Sequence, residues 1–149
     1  MRIEEYVQDA FVSIMEARAG VIALGVEVRR YKDFEELKGN QHILVRVVPG
    51  RKLANNYYYY ELVVDLMAMS KRDEDLTGQK LDDLYDQCEE ELYETVTVLS
   101  LQTAIDNLYP DSKITIDGIV PDQGEEIGEV IYGLVASARV YLSYNKPTT

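Results

Sequence analysis

The chain has 149 residues, 27 acidic and 15 basic, with a net charge of −12 at pH 7. Its length and its 46% apolar, 28% charged composition suit one soluble globular domain, residues 1–149, with a real core. The acidic excess repels phosphate backbones and excludes a general nucleic-acid binder, though not a surface that DNA passes without sticking.

Residues 2–19 read as an amphipathic helix. Ile3, Val7, Ala10, Ile14 and Ala17 recur at helical spacing, with Glu4, Glu5, Gln8, Asp9 and Glu16 mostly opposite. Gly20 is the expected stop. Residues 26–31 form a first strand, and Gly39-Asn40 marks a turn. Residues 43–48 form a second strand that Pro49-Gly50 should end, followed by a loop over 49–56 with Arg51, Lys52, Asn55 and Asn56.

The dominant stretch is the next one, 55–70. Tyr58, Tyr60, Leu62, Val64, Leu66 and Ala68 alternate with Tyr57, Tyr59, Glu61, Val63, Asp65 and Met67. Period two, with charges on one face, predicts a half-buried strand about twice the ordinary length, facing water at Glu61 and Asp65. With the preceding strand it makes a long antiparallel hairpin.

A polar linker follows over 70–77, with Thr77 as the expected helix cap. Leu81, Leu84, Tyr85, Cys88 and Leu92 make a helical stripe, and Asp82, Asp83, Asp86, Glu89, Glu90 and Glu91 crowd the outside. The β-branched run 95–98 leaves open one long helix to 108 or two. A fourth strand is expected at 113–119, a loop at 120–128 and a last long strand at 129–144, the partner the tyrosine strand needs. Residues 145–149 are expected to fray. The order α-β-β-β-α-β-β predicts an α+β fold: a mixed or antiparallel sheet with its helices on one face.

Catalytic chemistry is thin. His42, the single histidine, reads as a surface residue beside a turn rather than a general base. Cys88 is the single cysteine, so no intrachain disulfide forms, and it sits on an apolar stripe. One His and one Cys do not make a zinc site. The glycines of Gly20-Val-Ile-Ala-Leu-Gly25 are followed by Val26-Glu27 where a phosphate loop needs Lys and Ser or Thr. The acidic runs lack the ligand spacing of a calcium loop. No cofactor, metal or turnover is expected. No signal pattern opens the chain and no run approaches a membrane span, so a cytoplasmic, membrane-free protein is expected. The tyrosines suit either a protein interface or the edge of the core.

In pattern the chain resembles the tail terminator (tail completion) proteins of long-tailed bacteriophages. The matching features begin with a helix from Met1 to Arg18 and the hairpin Ile43-Leu-Val-Arg-Val-Val then Tyr59-Tyr60-Glu-Leu-Val-Val-Asp-Leu. They continue with the acidic helix from Leu81, then Ile116-Asp-Gly-Ile-Val-Pro-Asp and the closing Ala138-Arg-Val-Tyr-Leu-Ser-Tyr. The resemblance implies a virion subunit, assembled in the host cytoplasm. Its hexameric ring would cap the tail tube, stop its polymerisation and meet the head connector, with no catalytic residues. Another neck or head-tail joining protein, or a cytoplasmic module binding a small ligand on the sheet, are the alternatives. In a ring, Arg51, Lys52, Asn55, Asn56, Tyr57 and Tyr59 would meet Asp82, Asp83, Asp86 and Glu90 of an identical neighbour. A mobile hairpin tip with solvated charges is the competing account of that loop.

Overall fold

The computed structural model describes residues 2–36, 40–54, 58–106, 113–126 and 131–144, without side chains at 34–36, 51–54, 58–60, 72, 121–126, 131–132 and 144. The expected fraying of 145–149 and the Gly39 half of the expected turn lie outside the described residues.

The chain is α+β. Helix α1 (Ile3–Ala17) buries Ile3, Val7, Phe11 and Met15. It stops at Arg18, whose backbone is extended, and a short α2 (Ala19–Leu24) follows. The expected stop at Gly20 therefore falls inside a helix. The terminating glycine is Gly25, in the left-handed region at φ 66, where its N–H reaches back to the carbonyls of Val21 and Ile22.

Strand β1 (Glu27–Arg30) pairs in parallel with β2 (Gln41–Ala54), and β2 pairs antiparallel with β3 (Tyr58–Lys71). Helices α3 (Gln79–Tyr93) and α4 (Thr95–Asp106) lead to β4 (Lys113–Glu126) and β5 (Ile131–Tyr144). The sheet is mixed, in the order β1-β2-β3-β5-β4. β3 and β5 pair along their whole length, from Tyr58 opposite Tyr144 to Lys71 opposite Ile131. The tyrosine strand has its long partner, and the two form the centre of the sheet.

Pro49-Gly50 does not end β2. The register slips there, from Pro49 opposite Leu62 to Lys52 opposite Tyr60, so the strand bulges and continues. A Cβ at Gly50 would lie 2.5 Å from the Glu61 carbonyl oxygen, so the bulge needs glycine. The expected loop 49–56 is thus mostly strand. Likewise β4 passes through the expected loop 120–128 as far as Glu126, with slips after Asp117 and Val120 around Gly118 at φ 58. Two features blunt the part of β2 beyond Val45, where β1 no longer pairs. Gln8 accepts the Val47 N–H at 3.3 Å, and Pro49 has no N–H to offer.

The helices cover one face. Leu62, Val64, Leu66 and Ala68 from β3 and Ala136, Ala138, Val140 and Leu142 from β5 form one core with the α1 stripe and with Leu81, Leu84, Tyr85, Cys88 and Leu92 of α3. Full burial stabilises by about 1.5–3 kcal/mol for each large aliphatic side chain. The helical stretch is two helices, broken at Glu94 (φ −82, ψ 131), just before the β-branched run. Thr97, fully buried, stitches the break: its hydroxyl donates to the Glu91 carbonyl at 2.9 Å. Thr77 makes only a 3.4 Å contact with the Gln79 N–H. The main cap of α3 is Asp75, which accepts the Lys80 and Leu81 N–H groups and the Ser70 hydroxyl.

The other face is drier than expected. Glu61 is 8% exposed and Asp65 6%, so neither faces water. Beside them Leu44, Met67, Met69 and Val135 form a second, smaller buried cluster. A 3-10 turn over Tyr31–Glu36 lies against β1 and β2, with the Tyr31 ring 5.0 Å from the Arg46 guanidinium. Alternation of charge identified the second face, but charge did not make it wet, because the two carboxylates are paired across the sheet.

Candidate functional site

Those pairs follow from register. Arg46 on β2 and Ser137 on β5 flank Asp65 on β3. Arg46 donates to Asp65 Oδ2 from Nε at 2.9 Å and Nη2 at 2.7 Å, and the Ser137 hydroxyl donates to Oδ1 at 2.6 Å. Glu61 lies 3.7 Å from Arg139. Both Asp65 oxygens are engaged within the sheet, which makes this a cross-strand clamp rather than a ligand site. His42 belongs to the same face and is 4% exposed, so it is buried in β2 and not a surface residue beside a turn. Burial pushes the Cys88 thiol up to about 12, which leaves it unreactive at neutral pH.

The residues expected to form a subunit contact fall on two elements. Arg51 and Lys52 are on β2 beyond the bulge, and Tyr59 on β3 pairs with Ala54 and Ser143. Asn55, Asn56 and Tyr57 lie outside the described residues. On α3, Asp82, Asp86 and Glu90 are exposed and Asp83 is half-buried. Asp83 accepts the Gln79 amide at 2.9 Å, one turn back. Glu90 is turned towards Arg18 at 3.0 Å. Asp82, Asp86 and Glu90 are thus exposed as read, but Glu91, read on the outside, is buried at 5% exposure because it turns in to Arg18, and Glu89 is half-buried.

The most developed polar cluster centres on a residue the sequence did not single out. Arg18, extended between α1 and α2, points across to the end of α3. Its Nε donates to Gln87 Oε1 at 2.7 Å, Nη1 to Glu94 at 2.7 Å and to the Glu91 carboxylate, and Nη2 to Glu90 at 3.0 Å. Burial works against the Arg18 charge, but the Glu94 and Glu91 carboxylates outweigh it and raise its pKa. Burial also holds the Glu91 carboxyl above its ordinary value, an effect the Arg18 and Thr97 hydrogen bonds only partly offset. A signal was present: Glu90 and Glu94 are four residues apart on one helix face, where like charges repel unless a cation sits between them.

Beside this cluster runs a groove of about 590 Å³ between α1–α2 and α3–α4. Ile14, Ala17, Ala19 and Val96 supply apolar walls, and Arg18, Glu91 and Glu94 one polar edge. Among the described residues no group of three His, Cys, Asp or Glu is arranged to hold a metal ion, and no helix is long and apolar enough to cross a membrane.

No protein-family model matches the chain, and no curated protein does. Among solved structures, the core region of PilO from the type IV pilus system of Pseudomonas aeruginosa is similar over 78% of this chain and 90% of that one. The identity is 10% and the TM-score 0.23, too slight a likeness to carry an argument.

Proposed function

We propose that the chain is a structural subunit of a phage tail, of tail-terminator type, which assembles head to tail into a hexameric ring closing the tail tube. The feature that supports this reading is the presence of two stretches of opposite charge on different elements of one chain. One is the exposed acidic face of α3, led by Asp82 and Asp86. The other is the bulged end of β2, in a stretch from 49 to 60 that contains Arg51 and Lys52 and no acid. A ring is a heterologous contact and needs two different, complementary patches. Their charges set register and speed of association more than affinity. The partners in this reading are further copies of the chain, the tail tube protein and the head connector. DNA would cross an acidic lumen without adhering.

The test reverses the basic patch. Arg51→Glu with Lys52→Glu should abolish the hexameric mass in native mass spectrometry, or tail capping where the ring forms only on the tube, with the melting temperature nearly unchanged. A double variant that still assembles, and still yields tails of normal length, would refute this contact.

A further inference from the structure

Two helices of this chain are out of keeping with its composition. Charged residues make up 28% of the whole. Yet α2 contains none, and α4 contains only Asp106, its last residue. A helix with apolar residues on every side is normally buried on every side. Thr97, Leu101 and Ile105 are buried against the core. Val96 and Leu99, on the outer side of α4, are 65% and 61% exposed, and Ile22 on α2 is 63% exposed. The groove of about 590 Å³ lies between these two helices.

From this geometry we infer that the groove is a docking site for a basic amphipathic helix of another protein. The choice of occupant follows from charge. Three carboxylates, Glu90, Glu91 and Glu94, surround the one guanidinium of Arg18, so the polar edge keeps a negative balance. Four of the five guanidinium N–H groups already donate, and the three carboxylates around Arg18 disfavour an anionic ligand. A second copy of the same groove would bring six carboxylates against two guanidinium groups, and like charges across an interface are strongly unfavourable. A small molecule would be poorly enclosed, because Ser13, Ala17, Ala19, Glu94, Val96 and Ser100 along the groove are all exposed. A helix laid between two helices buries its apolar stripe on Ile14, Ala17 and Val96. Its Lys or Arg stems cross the same apolar surface, and their heads reach Glu90 and Glu94. The site uses none of the residues assigned to the subunit contact except Glu90, and does not depend on the ring.

The probe is an 18-residue helical peptide of Leu and Lys, titrated by calorimetry at physiological salt. Binding should weaken at least tenfold in Val96→Ser with Leu99→Ser, which removes apolar surface and no charge. It should also weaken at least tenfold in Glu90→Gln with Glu94→Gln. Asp73→Asn with Glu74→Gln changes the net charge equally on the exposed turn before α3, outside both sites, and should alter the Kd less than twofold. A Lys-Ser peptide should bind at least tenfold more weakly than the Leu-Lys one. Equal loss in both carboxylate pairs, or equal binding of the Lys-Ser peptide, would reduce the effect to general attraction by an acidic protein and overturn the proposal. A lower solution mass for the Val96→Ser, Leu99→Ser variant would overturn it too, by showing that a second copy fills the groove.

Discussion

Replacing Arg18 with methionine should destabilise the fold in a manner that depends on pH. The Arg18 side chain is 13% exposed and that of Glu91 6%, while Glu90 and Glu94 are 62% and 44% exposed. Only the Glu91 pair is therefore desolvated on both sides. Exposed ion pairs contribute about 0–1 kcal/mol, whereas removing one partner of a buried pair costs about 3–5 kcal/mol. The groove lets water approach the polar edge, so the lower end applies, about 3 kcal/mol. In a chain of this length each kcal/mol moves the melting temperature by about 2–4 °C, giving a drop of about 6–12 °C. Burial already holds the Glu91 carboxyl up, and without Arg18 it rises further. A group whose folded pKa is raised stabilises fully below its unfolded value and loses that contribution as pH rises through the folded one. The deficit should therefore be largest at neutral pH and shrink as the solution is acidified towards the ordinary glutamate range, about 4.3. Glu91→Gln added to Arg18→Met should recover part of the loss at neutral pH. Thermal unfolding followed by circular dichroism at both pH values reads all of this. A drop below about 2 °C at neutral pH, or an equal drop at both pH values, would refute the reasoning.

Three further outcomes are expected. Leu62→Ala, in the fully buried row of β3, should cost about 2–5 kcal/mol by denaturant unfolding, with an unchanged m-value. Asp65→Ala should also be costly, about 1–3 kcal/mol, because it removes the carboxylate that Arg46 and the Ser137 hydroxyl both donate to, and it should add non-independently with Arg46→Ala in a double-mutant cycle. Asp75→Ala removes the cap of α3 and should cost about 0.5–2 kcal/mol. Burial raises the Asp75 pKa, but the Leu81 and Lys80 N–H groups and the Ser70 hydroxyl outweigh it and hold it below the ordinary value. That contribution is present above the unfolded pKa and lost as pH falls through the folded one, so acid titration should narrow the gap between Asp75→Ala and the wild type.

The sequence by itself determined the class of fold, the element types and the faces of most elements. Period-two alternation in β3 and β5 and the stripe of α3 are local properties, so Leu62, Val64, Leu66, Leu84 and Cys88 could be assigned to the core directly. Punctuation was less legible. Pro49-Gly50 and the Gly118 region carry turn residues, yet both are bulges, because a paired neighbour on β3 or β5 holds the backbone extended through them. The helix break fell next to its β-branched run, but the buried Thr97 hydroxyl completes it. What only the tertiary structure decided was what the charged residues meet. Glu61 and Asp65 look solvated in sequence, and their burial depends on Arg139, Arg46 and Ser137, which strand order brings alongside from up to 78 residues away. Arg18 and Glu91 are 73 residues apart and meet only because α1 ends where α3 ends. Apolar periodicity is written along one element, whereas charge pairing is a relation between two, and a single chain records no distance between elements until they pack.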